Sequence, residues 1–190
     1  MPVKNILLNR ILPAADSFSR WLAYSAMAMT VVMIVVTMQE VIRRKGFNDP
    51  TVWANDITYM LNGSLFLIGA GFTLRMNGHV RIDFLSQMLP LRLQHFINLA
   101  FYLGVLLPCF GLISWLGATR AISAFEQGRI ETMSAWEPLI WPFYTGITIG
   151  LFGLLIQSAA EAVRHMIGIA DPEAVPGPSV KAKETTVDVG

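Results

Sequence analysis

Transport or redox chemistry inside a bilayer needs ionisable or metal-ligating side chains at membrane depth, so those residues set the first question. The 190-residue chain has 13 Asp and Glu, 14 Lys and Arg, and 3 His. None of them falls in four long stretches, Trp21–Gln39 (19 residues), Ile57–Leu74 (18), Phe96–Thr119 (24) and Pro138–Ala160 (23). Glu40, Asp56, Arg75, Glu137 and Glu161 stand at the edges of these stretches, where a side chain reaches water or headgroups. A charge held at mid-helix costs about 2.5–3.5 kcal/mol on insertion scales, and this chain avoids it. The four cores offer no proton wire, ion site or charged substrate pocket, which argues against a stand-alone pump.

His79, His95 and His165 lie near the ends of the second, third and fourth stretches, all on one side of a four-span topology. Two of them facing each other could ligate a haem. His79 follows Arg75 by four residues, however, and His165 follows Glu161 by four, which places both at the headgroups. All three are read as interfacial. The run His79-Val80-Arg81-Ile82-Asp83 mixes ligand types, but its alternation fits an extended link better than a metal site. There is no glycine-rich phosphate loop, nucleophile elbow or HExxH pair. The expectation is a chain with no catalytic residue, no cofactor and no metal, hence not an enzyme. Cys109 is the single cysteine, so no intrachain disulfide can form.

The elements that carry these residues follow from composition. Apolar residues make up 54% of the chain and charged residues 14%, against about 25% in an ordinary soluble domain. Each charge-free stretch is long enough, at about 1.5 Å per residue, to cross roughly 30 Å of hydrocarbon. A net charge of +1 gives no basic field for nucleic acid. The pattern predicts an all-α integral membrane protein with four transmembrane helices. Lys4, Arg10 and Arg20 precede the first apolar run, but it exceeds the roughly 7–15 residues of a signal-peptide core and is expected to be a retained helix. Residues 1–170 are read as one four-helix membrane domain with connections at 40–56, 75–95 and 120–137. Residues 171–190, with Pro172, Pro176 and Pro178 among Lys, Glu and Thr, are read as a disordered tail.

Within the middle connection, Phe84, Leu85, Met88 and Leu89 recur at helical spacing after Asp83 and before Pro90. This predicts a short amphipathic helix lying in the interface between the second and third spans. Pro108 is expected to kink the third span, and Pro138 and Pro142 mark the start of the fourth. The five tryptophans all fall near span ends, as indoles prefer. Small residues form two thin faces, Gly69-Ala70-Gly71 on the second span and Gly146 with Gly150 on the fourth. Both are read as places where a helix of a larger partner packs closely.

Two stretches are more specific. One is Glu40-Val41-Ile42-Arg43, then Phe47-Asn48-Asp49-Pro50, Trp53 and Asp56. The other is Gly69-Ala70, Leu74-Arg75, Gly78-His79-Val80-Arg81-Ile82-Asp83 and Leu89-Pro90. Together they resemble the signature of the small membrane subunit of tripartite ATP-independent periplasmic (TRAP) transporters, over residues 40–90. The match departs at Asn55-Asp56, where acidic residues at both places are more usual, and at Arg44-Lys45, where an aromatic is common.

The resemblance implies a non-catalytic scaffold in the bacterial inner membrane, held against a large multi-span subunit. That subunit would carry an organic acid inward on a sodium gradient after a periplasmic solute-binding protein delivers it. The resemblance also implies cytoplasmic N- and C-termini, and it supplies no substrate- or ion-binding residue. Charge agrees only in part, with 9 Lys and Arg on the inner side and 5 on the outer. In that orientation Asn48, Asp49 and Trp53 face the periplasm with Gln127, Arg129 and Glu131, a candidate rim for docking the binding protein. Two other readings stay open, a membrane anchor for a quinone- or haem-linked redox enzyme and an autonomous small exporter.

Overall fold

The computed structural model describes residue 10 and residues 12–76 and 90–170, with Leu91 described by its backbone alone. Helix α1 (Leu12–Ile42) runs on through a π turn, Arg43–Phe47, and α2 spans Ala54–Arg75. The third span is built from α3 (Leu91–Phe101), a π turn (Tyr102–Leu106) and α4 (Leu107–Glu126), and the fourth is α5 (Trp141–Ala170). Four continuous helices, Leu12–Phe47, Ala54–Arg75, Arg92–Glu126 and Trp141–Ala170, are long and apolar enough to cross a membrane. The all-α membrane fold read from the sequence is the fold observed.

The helices overrun the charge-free stretches, because a charged residue at a helix edge does not itself break a helix. Leu12–Phe47 is 36 residues, where the charge-free stretch has 19. Arg43, Arg44 and Lys45 ride on its C-terminal end, where the helix dipole favours cations. The chain then turns at Asn48, whose left-handed φ of 52° is tolerated by Asn better than by most residues. The first connection, expected at 40–56, shrinks to 48–53, and Glu40 belongs to a helix rather than a loop.

Pro108 shows its effect just upstream. Its missing N–H deprives the carbonyl four residues earlier of a partner, and the π turn at Tyr102–Leu106 accommodates the break. Pro142 sits in the first turn of α5, as its lack of a donor allows. Residues 127–140 form a tight return, with a left-handed Gly128 (φ 57°) and an isolated antiparallel bridge between Ile130 and Leu139. Among the described residues there is no strand.

Helix α5 is the hub, with 56% of its apolar window buried inside the chain against 6% for the third span. It packs against every other helix, and α1 also packs along α2. Three small clusters hold the bundle: Leu74, Tyr102, Leu154 and Ala162; Leu12, Ala15 and Ala160; and Leu22, Ala26 and Ile68. Apolar side chains such as Val31, Ile34, Val35 and Met38 on α1 and Leu112 and Trp115 on α4 face outward. In lipid that outward face carries no hydrophobic penalty, so close packing and polar bonds decide which helices meet. The amphipathic helix expected before Pro90 and the tail at 171–190 lie outside the described residues.

Candidate functional site

The thin faces come first, because they fix how the helices lie. A Cβ placed on Gly146 would stand 2.8 Å from the Ser64 Cβ, and one on Gly150 would stand 2.6 Å from the Ile68 backbone N. A Cβ on Gly71 would stand 3.3 Å from the Gly153 carbonyl carbon, one on Gly69 would stand 3.8 Å from the Ala26 Cβ, and Ala70 packs on the Leu74–Tyr102 cluster. All five positions assigned from sequence to an intersubunit contact are therefore occupied within the chain, four along the α2–α5 seam and Gly69 against α1. Glycine spacing says that a helix approaches closely. It does not say whose helix.

At one end of the bundle the seam closes over a polar cluster. Asp16 of α1 accepts from Arg164 of α5 at 2.6 Å and forms an ion pair with Arg75 of α2 at 3.3 Å. Arg164 also pairs with Glu161 one turn earlier. Ser19 donates to Gln157 Oε1 at 2.7 Å, and the Gln157 amide reaches Glu161 at 3.4 Å. The Glu161 side chain is 4% exposed, Arg164 14% and Asp16 15%. Two arginines and two carboxylates balance, so the cluster crosses into low dielectric without net charge. Of the edge residues read from sequence, Arg75 pairs with Asp16 and keeps 24% of its side chain exposed, while Glu161 is buried against Arg164. A buried polar group is costly unless it is bonded, and here each charge has an opposite one within reach.

Two of the three histidines also meet at this end. His95 is fully buried and His165 nearly so, with their Nδ1 atoms 2.9 Å apart. One imidazole donates and the other accepts, which ties α3 to the far end of α5. Gly168 makes room for the His95 ring, since a Cβ there would stand 2.6 Å from its Cε1. Tyr102 stacks on His165 with ring centroids 5.6 Å apart. These two histidines pack against each other inside the bundle. No group of three metal-ligating side chains occurs among the described residues. His79 and Asp83 lie outside them.

The opposite end carries the two remaining connections. Glu40 accepts from Arg44 at 2.8 Å and from the Thr51 backbone N at 3.1 Å, and it also bonds the Thr51 hydroxyl. Arg43 pairs with Asp49 at 2.7 Å. Arg44, at a place where the resemblance leads one to expect an aromatic, thus serves as the local partner of Glu40. Phe47 is exposed, Pro50 follows the turn, and Trp53 precedes the first residue of α2. Asp56 at the start of α2 bonds Ser134, which pins the 127–140 connection to the first one. Arg129 donates to Gln127 at 2.7 Å, and Glu131 accepts from the Met133 backbone N at 3.3 Å.

The structure thus brings Asn48, Asp49 and Trp53 to the same end as Gln127, Arg129 and Glu131. It also shows that Asp49, Gln127, Arg129 and Glu131 hold their own loops. Sequence reasoning missed Asp16, Ser19, Thr51, Ser134, Gln157 and Arg164. One signal was available: Gln157, Glu161 and Arg164 recur at i, i+4 and i+7, a polar stripe on an otherwise apolar helix.

Residues 33–168 match the family model of the DctQ component of tripartite ATP-independent periplasmic transporters. The chain is 28% identical over 110 residues to the sialic acid TRAP transporter small permease protein SiaQ of Vibrio cholerae. That stretch covers 57% of this chain and 62% of the relative. It is 24% identical over 115 residues to the sialic acid TRAP transporter permease protein SiaT of Haemophilus influenzae, covering 58% of this chain and 19% of the relative. The chain therefore spans less than two thirds of either relative's length. No solved structure gives a significant match.

Proposed function

The chain belongs to the DctQ family of TRAP transporter components, and from that premise we propose that it is the small permease subunit of such a transporter. It scaffolds a large multi-span subunit in the inner membrane. The large subunit performs sodium-coupled uptake of an organic acid that a periplasmic solute-binding protein delivers. Both relatives are named for sialic acid transport, and sialic acid is one carboxylate that fits this class. The N- and C-termini face the cytoplasm, so the 48–53 and 127–140 connections meet the periplasm.

One observation carries the reading. Among the described residues, Asp16, Arg75, Glu161 and Arg164 are each paired with an opposite charge inside the chain, which leaves these four committed to the bundle rather than to sodium or a carboxylate. What the bundle offers outward is apolar helix surface, the material of a scaffold rather than of a transport pathway. The test is uptake by proteoliposomes containing the large subunit with and without this chain. Loss of uptake without it, and no uptake by this chain alone, supports the proposal. Uptake by this chain alone overturns it.

A further inference from the structure

Helices α4 and α5 approach closely where Gly117 meets Thr148. A Cβ on Gly117 would stand 2.9 Å from the Thr148 hydroxyl. Between that point and the 127–140 connection, a groove of about 460 Å³ lies between the two helices. Ala118, Ala121 and Phe125 form one wall, and Trp141 and Thr145 form the other. Such a volume falls in the usual range for a bound small molecule, about 300–1,000 Å³.

The walls are dry. Thr145 and Thr148 donate their hydroxyls to carbonyls of their own helix, at 2.8 and 2.7 Å, and so neither hydroxyl hydrogen is left for an occupant. A space without polar partners does not hold ordered water. Both walls belong to helices long and apolar enough to cross a membrane. Phe125 and Trp141 meet edge to face with ring centroids 5.4 Å apart across the groove. Beside them the last residue of α4, Glu126, lines the groove and is exposed. It has no ion pair among the described residues. An unneutralised carboxylate at the mouth of an apolar slot matches an ammonium group attached to a hydrocarbon chain and repels an anionic one.

We propose that the α4–α5 groove is a binding site for one phospholipid with an amine-bearing headgroup, its acyl chain along Ala118 and Ala121 and its ammonium beside Glu126. The inference goes beyond the scaffold reading and does not depend on it. It can be tested with the full chain, reconstituted in vesicles holding equal amounts of phosphatidylethanolamine and phosphatidylglycerol with identical tails. The chain is extracted in mild detergent and its retained lipids are counted by native mass spectrometry. The wild type retains one phosphatidylethanolamine in preference to phosphatidylglycerol. Ala121→Leu fills the slot and loses that lipid, and Ala118→Leu does the same if Ala121→Leu folds poorly by circular dichroism. Glu126→Gln keeps a lipid but loses the headgroup preference. Folded Ala121→Leu or Ala118→Leu chains that retain lipid as the wild type does overturn the proposal. So does displacement of the lipid by a copurifying large subunit, which would make the groove a protein interface.

Discussion

The carboxylate of Asp16, near the start of α1, is 2.6 Å from the guanidinium of Arg164, near the end of α5, although 148 residues separate them. The same carboxylate reaches Arg75 of α2 at 3.3 Å. One acid thus joins three helices, and Asp16→Asn leaves Arg75 without its counter-charge and Arg164 with Glu161 alone. Removing one partner of a buried pair costs about 3–5 kcal/mol, much of it the penalty of the charge left behind. Asp16→Asn is expected to lower the unfolding midpoint in detergent more than Arg43→Gln, whose pair with Asp49 is exposed. Equal effects would remove Asp16 from the core of this account.

The α2–α5 seam gives a second test. Gly150→Leu must push α2 away, because the backbone of Leu67 and Ile68 already occupies the space a side chain needs. The defect should appear in this chain purified alone, as lost helicity or aggregation, before any partner is added. A Gly150→Leu chain that melts like the wild type, and fails only in copurification, would return this glycine to an intersubunit contact.

The His95 ring and Gly168 are coupled sites. Gly168→Val alone drives a side chain into a buried ring, an overpacking change that typically costs about 1–3 kcal/mol. In a His95→Ala background the same substitution meets a vacated space and costs less. A double-mutant cycle on detergent unfolding measures the difference, and additive effects would show that ring and glycine do not share the space.

At the other end, Asp49 and Arg129 give a test of topology and docking together. With the proposed orientation, cysteines at 49 and 129 react with an impermeant reagent from the periplasmic side. Charge reversal at both positions raises the apparent half-saturation for the loaded binding protein, less so as salt rises. Both residues already have partners in their own loops, Arg43 and Gln127, so loop disorder must be excluded by labelling yield. Labelling from the cytoplasmic side alone contradicts the orientation.

How much of this was legible in the sequence depends on which force acts. The four spans were, because hydropathy over 18 or more residues is a one-dimensional signal. The residues of the first connection were also visible as a pattern, but their use was not. Glu40 and Thr51 are 11 residues apart, and the bend at Asn48 that brings them together is invisible in hydropathy. Asp16, Arg75 and Arg164 were hidden for a related reason. Each looks like an edge charge on its own helix, and only the antiparallel bundle places all three at one depth. Gly146 and Gly150 were found as a thin face, yet their partner is another span of the same chain, which spacing along one helix cannot name.

The central claim is that this chain supports transport without binding sodium or substrate through its own polar side chains. The most direct measurement is the sodium dependence of uptake by the assembled transporter in proteoliposomes, comparing the wild type with Glu40→Ala, Asp56→Ala, Arg75→Ala, His79→Ala and Glu137→Ala variants. Each variant must first be shown to copurify with the large subunit. The account predicts lower uptake where assembly suffers, with unchanged half-saturation for sodium and for substrate in every variant that assembles. A variant that assembles fully and shifts the sodium half-saturation would contradict it.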